Sequence, residues 1–192
     1  MKTKRFVLFC LAALLLLVSV TIVWAQLDDI QRDDALTGSL FQTVREATAP
    51  FRSVSEAEAA GYGLFHGCAS GPEEGAMGVH FVNGGLVGDG ALDPVQPEAL
   101  IYEPRNGQLQ LVGVEYVVFA DAWHASNEGP PVLMGQLFNY VGSPNRYGIP
   151  AFYELHVWAW KQNPKGDFAD WNPTVSCRDF VPDAASHDDS SH

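Results

Sequence analysis

Apolar residues at Leu36, Leu40, Phe41, Val44 and Ala47 recur at helical spacing and stop at Pro50, which predicts a short amphipathic helix. A second short helix is expected behind Ser53, where Ser53 and Glu56 have the spacing of a capping box and Gly61 supplies a stop. From Gly61 onward the apolar period shortens towards two. "MGVHFVN" (77–83), "ALIYE" (99–103), "LQLVGVEYVVF" (109–119), "PVLMGQLF" (131–138) and "AFYELHVWAW" (151–160) read as strands. The Asn106-Gly107 step between the second and third of them is a hairpin signal. "NGGLVGDG" (83–90) lacks the Lys-Ser/Thr of a phosphate loop and reads as a turn or flexible loop. No fixed-period repeat is present, and no helices alternate with the strands, which argues against a parallel doubly wound sheet. The expected fold class is α+β, with short N-terminal helices packed on an antiparallel β-sheet or partly closed β-barrel.

Two strands carry polar residues where the pattern calls for apolar ones. In 109–119 one face holds Val112, Val114, Tyr116 and Val118, and the other Leu111, Gly113, Glu115, Val117 and Phe119. Glu115 is thus a lone charge in a strand apolar on both sides, and a buried carboxylate needs a cation, hydrogen-bond donors or a raised pKa. Arg52, Arg105 and Arg146 are possible partners. In 151–160, Tyr153, Leu155, Val157 and Ala159 form a core face, leaving Phe152, Glu154, His156, Trp158 and Trp160 on the other. That second face looks like a pocket wall. The loop after it, "KQNPKGDFADWNPTVSC", carries Trp171 and two Asn-Pro steps and is the expected cover.

The ends of the chain read differently. Lys2, Lys4 and Arg5, the apolar run from Phe6 and the Val23-Trp24-Ala25 site predict a secretory signal over 1–25, cleaved before Gln26. A retained membrane anchor is the alternative reading of the same run. With the signal removed no stable membrane insertion is expected, and the location is secreted or periplasmic. An acidic segment follows over 26–34, a single globular domain over 35–178, and a disordered acidic tail over 179–192. The full chain carries a formal net charge of −12. Removing 1–25 takes away three of the eleven basic residues and no acidic one, leaving 8 against 23, or −15. That balance argues against nucleic acid and anionic membrane surfaces as partners. Cys68 and Cys177 are the two cysteines left beyond the signal, and in a secreted chain they read as one disulfide.

His80 also falls mid-strand, with Met77, Val79 and Phe81 on the opposite face. An antiparallel sheet could bring His80, Glu115 and His156 onto one concave surface, where two imidazoles and a carboxylate suit a divalent transition metal such as zinc or iron. Reaction signatures are missing: no HExxH, no CxxC, no GxSxG, and "GCASG" places Ser70 differently. No carboxylate pair stands out for glycoside hydrolysis, although Glu103, Glu115 and Glu154 stay open. The leading expectation is a small-molecule-binding domain with an aromatic-lined β pocket built from Glu115, Tyr116, Glu154, His156, Trp158, Trp160 and Trp171. The alternatives are tryptophans acting as core filler under a pinned loop, and a metal protein or metal-dependent enzyme using His80, Glu115 and His156.

Three strings, "EGAMGVHFVN", "PEALIYEP…GQLQLVGVEYVVF" and "HVWAWKQNPKGDFADWNPTVSC", resemble a family of predicted secreted bacterial proteins without an established activity. The resemblance covers about 45–178. It implies secretion and a single domain, and it carries no activity with it.

Overall fold

The computed structural model describes residues 31, 32 and 35–182. The expected signal segment, most of the acidic segment after it and the tail from 183 lie outside the described residues. The chain divides into two compact units at Ser39/Leu40. In the first unit, residues 31–32 and 35–39 are helical. The fold and the site below belong to the second.

That unit opens with helix α1 (40–48), a 3-10 turn at Ala49–Arg52 and helix α2 (Val54–Ala59). Strands follow as β1 (Gly63–Gly71), β2 (Gly75–Val82), β3 (Ala99–Arg105) and β4 (Gln108–Phe119). Helix α3 (Gly84–Asp89) lies between β2 and β3, and α4 (Ala120–His124) directly follows β4. The remaining strands are β5 (Val132–Leu133), β6 (Gln136–Leu137), β7 (Asn139–Val141) and β8 (Phe152–Val157). Six of them form one antiparallel sheet in the order β1-β2-β3-β4-β8-β7, curled into a half-barrel. This is the α+β architecture expected from the pattern.

One face of the sheet holds the main core. Leu40 and Val44 of α1, Ala57 of α2 and Tyr62 pack there against Val79, Phe81, Leu100, Tyr102, Val114, Tyr116, Val118, Tyr153, Leu155 and Val157. Three core tyrosines keep their hydroxyls satisfied by donating to backbone carbonyls. Tyr62 reaches Pro97 (2.7 Å), Tyr102 reaches Phe51 (2.6 Å) and Tyr116 reaches Pro94 (2.7 Å). Arg45 ties α1 to the far end of the chain by donating to the Ala159 carbonyl at 2.6 Å.

Several local expectations need correction. Ser53 starts α2, but its hydroxyl meets Ser55 and makes no capping bond, so the capping box is not formed. "NGGLVGDG" is a helix, because Asn83 accepts from the Gly85 and Leu86 N–H groups and Gly90 ends the turn at φ +72°. "PVLMGQLF" is not one strand. It folds into the two-stranded β5–β6 hairpin around Met134 and Gly135, both with positive φ. In β4 the alternation shifts one place. Ile101 pairs with Gly113 and Tyr102 with Leu111, so Val112 is an extra residue in the ladder. Leu111 therefore joins the main core, and Val112 joins the opposite face.

The Asn106-Gly107 turn forms as expected, both residues having positive φ. The folded part runs past residue 178. The Asn106 N–H donates to Asp179, and Phe180 packs on the main core.

Cys68 and Cys177 form the expected disulfide, joining edge strand β1 to the segment after β8 across a sequence separation of 109. A loop of that length stabilises by about 4–5 kcal/mol in the chain-entropy account. Cys68→Ala and Cys177→Ala should each lower the unfolding free energy by about 3–5 kcal/mol, and the double variant by no more. Urea titration of the three variants checks this; additive losses would contradict a shared bond.

Candidate metal centre

The reverse face of the sheet is built in three zones. At one end Ala76, Ile101, Val112, Trp158 and Val175 form an apolar cluster. At the other, Val87, Val117 and Phe152 form a second, with Phe119, Val141, Tyr147 and Ile149 against it. Between them stand His80 from β2, Glu115 from β4, and Glu154 and His156 from β8, all buried.

Register brings them together. Glu115 lies directly opposite His156 across β4–β8, and Val117 opposite Glu154. His80 is opposite Ile101 in β3, whereas Glu115 is opposite Ala99, so His80 and Glu115 meet diagonally across that strand. The His80 Nε2 stands 3.4 Å from a Glu115 carboxylate oxygen. The two imidazoles meet edge to face with centroids 6.0 Å apart, and His156 stacks on Trp158 at 6.2 Å. One ligand atom from each of His80, Glu115 and His156 lies within 4.8 Å of the others. A second set, Glu154, His156 and Asp170, meets the same condition and shares His156.

Asp170 arrives on the covering loop, 161–177. That loop is held to the sheet by paired backbone bonds between Ala76 and Asn172, and by the Trp158 indole N–H donating to the Ala169 carbonyl at 2.6 Å. Both residues that precede proline organise it internally. Asn163 donates to the Ala169 and Trp171 carbonyls, and Asn172 donates to that of Gln162. Lys161 pairs with the buried Glu103 (2.6 Å), whose other oxygen accepts from the Ser176 N–H. Glu103 is therefore a loop anchor. The Asn139 amide holds Asp170 from β7 at 3.1 Å, and Asp170 in turn stands 3.6 Å from His156 Nδ1, too far for a hydrogen bond.

The electrostatics are those of charged groups kept from water. Burial pushes both imidazoles down to about 3, so they are neutral at ordinary pH. Burial, with neighbouring carboxylates adding to it, holds Glu115 well above the usual carboxylate range. Burial raises Glu154 to about 7 even though Glu115 donates a hydrogen bond to it. Asp170 is raised for the same reason. Among the described residues no lysine or arginine forms an ion pair with Glu115, Glu154 or Asp170. His156 is wholly inaccessible, and neither of its ring nitrogens has a hydrogen-bond partner. A buried imidazole with two orphaned nitrogens is rare in a folded protein and needs a reason.

The aromatic-lined pocket expected from Glu115, Tyr116, Glu154, His156, Trp158, Trp160 and Trp171 is not what the strands build. Tyr116 faces the main core. Trp158 belongs to the apolar cluster beside Val175. Trp160 turns the other way, onto Thr48 at 3.0 Å, beneath the Arg52 guanidinium. Strand β8 ends at Val157, so strict alternation does not carry to residue 160. Trp171 lies under Arg146. The cavity that does form has a volume of about 610 Å³ and opens on His80 and Glu115, with Phe65, Val87, Val117, Phe119, Ile149 and Phe152 among its walls. Only Glu115 of the seven expected residues lines it.

Sequence reasoning missed Asp170 and Glu98. Asp170 had no signal, because its place depends on the path of an irregular loop. Glu98 sits where β3 has not yet begun, and its carboxylate accepts from the Val117 N–H at 2.9 Å in place of a strand. Comparison with protein-family models, curated proteins and solved structures found no match to this chain.

Glu98 allows a test of the buried acids that does not touch the cluster. Burial lifts its carboxyl from an ordinary 4.5 to about 8. The folded state therefore favours the protonated form, and the stability this contributes is present below about 4.5 and lost as pH rises towards 8. Glu98→Gln keeps the acceptor and removes the titration. Relative to the native chain it should gain on the order of 2–4 kcal/mol between pH 5 and pH 8. Denaturant melts across that range decide; parallel curves for the two proteins would refute the shift.

Proposed function

We propose that this protein is an exported metal-binding domain, in which His80, Glu115 and His156 hold one divalent transition ion. The observation that carries the reading is His156, inaccessible to water with both ring nitrogens unpartnered, beside a second imidazole and a carboxylate. Two neutral imidazoles and one carboxylate are donors of the type that zinc and ferrous iron accept. The histidines need not lose a proton to bind, since both are already neutral. Glu115 would give up the proton it shares with Glu154, and the incoming cation would supply the charge this acidic cluster lacks.

Asp170 has a supporting role in this reading. It stands at the Nδ1 side of His156, so a shift of a few tenths of an ångström makes an Nδ1–H to carboxylate hydrogen bond and leaves Nε2 as the ligand. Because His80 and Glu115 both line the cavity, positions on the ion not taken by protein would face it. Export is supported by the basic start and apolar run of residues 1–25 and by the disulfide, since such bonds persist in oxidising compartments. Among the described residues no helix is long and apolar enough to cross a membrane.

Elemental analysis of the chain purified without chelators or an affinity tag is the direct test. About one zinc or iron per chain is expected, falling to background in His156→Ala and Glu115→Gln. Asp170→Asn should keep the site but weaken it by about 10- to 100-fold in competition with a chelator. A native chain that arrives empty and takes up neither zinc nor cobalt on titration would overturn the reading.

A further inference from the structure

The cavity above the cluster is lined mostly by apolar side chains, and its few polar ones, His66, His80, Glu115 and Arg146, limit what it can take. Its volume of about 610 Å³ falls within the range of small-molecule sites. Its walls are largely hydrocarbon, with Phe65, Val117, Phe119, Ile149 and Phe152 among them. His80 and Glu115 form one polar point on the floor, and Arg146 forms another at the exposed edge.

Arg146 is held rather than paired. Its guanidinium lies 5.8 Å from the centre of the Tyr147 ring and 5.7 Å from that of Trp171. Cation–π contact of this kind holds the group in place and leaves its N–H donors available to a ligand. In a chain with 23 acidic and 11 basic residues, Arg146 makes no ion pair among the described residues. A guanidinium held between two rings without a protein carboxylate suits the carboxylate of a ligand.

We infer that the cavity takes an apolar monocarboxylate, with its hydrocarbon body among Phe119, Ile149 and Phe152 and its carboxylate between Arg146 and the ion on the floor. The inference rests on the metal reading above for that second contact. A divalent ion on the floor would offer a coordination position to a carboxylate oxygen, and Arg146, among the described residues the one arginine or lysine lining the cavity, supplies the charged hydrogen-bond donors. A neutral molecule of the same shape would meet the walls but bring no charge to Arg146, and a cationic one would be repelled by it.

Titration calorimetry with decanoate and decanol, on samples whose metal content is measured, tests this. Decanoate should bind the metal-loaded chain at least about tenfold more tightly than decanol. Arg146→Ala should weaken decanoate about fivefold or more while leaving metal content and decanol binding unchanged. Ile149→Trp, which fills the cavity from a loop, should abolish both ligands and leave the metal in place. A metal-loaded chain that binds decanol as well as decanoate, or that ignores Arg146→Ala, overturns the ligand inference alone. A chain without metal overturns it together with the metal reading.

Discussion

Between β4 and β8, the buried Glu115 stands opposite His156, which water does not reach. An isolated ionised carboxylate in such a place would be costly by several kcal/mol, so the molecule has to dispose of charge locally. It does so by protonation and sharing. Glu115 and Glu154 hold a proton between them, and both imidazoles are driven neutral. What this leaves unresolved is His156, whose ring nitrogens meet nothing. Packing alone would be served as well by an apolar ring of similar size, without leaving two polar atoms unpartnered.

Keeping that space dry is the work of the loop over 161–177. An irregular segment can cover a sheet only if its own backbone groups are satisfied. Asn163 and Asn172 meet that need from within, while Trp158, Lys161 and the disulfide fasten the loop to the strands beneath. Asp170 is carried to His156 as a consequence of this anchoring. Gly113 belongs to the same construction: a Cβ there would come within 2.8 Å of the Val157 carbonyl and press on the Trp158 indole. The glycine lets β8 and its tryptophan close over the strand.

The cavity has a different origin. Edge strand β1 bulges at His66 and Gly67, both with positive φ, and so departs from the plane of β2 over its middle. The space this leaves is bordered by α3 and by the loop that carries Arg146 and Tyr147.

Much of this was legible in the chain. The period-two pattern of 109–119 and 151–160 placed Tyr153, Leu155 and Val157 in the core and marked Glu115 and His156 as buried misfits. Asn106-Gly107 placed the hairpin, and the two remaining cysteines placed the disulfide. These are local signals, since alternation says which face a side chain takes and turn chemistry says where a strand reverses. The partners across the sheet are a different matter. That β8 lies beside β4, so that Glu115 meets His156, and that His80 reaches in diagonally, depends on strand order and register between segments far apart in the chain. Trp160 left the face of Trp158 because β8 ends at Val157, and Trp171 lies on an irregular loop, so alternation governs neither. By itself the sequence determined which residues were out of place; only the tertiary structure decided which of them share a site, because pairing is settled by the burial of whole faces and not by any one strand.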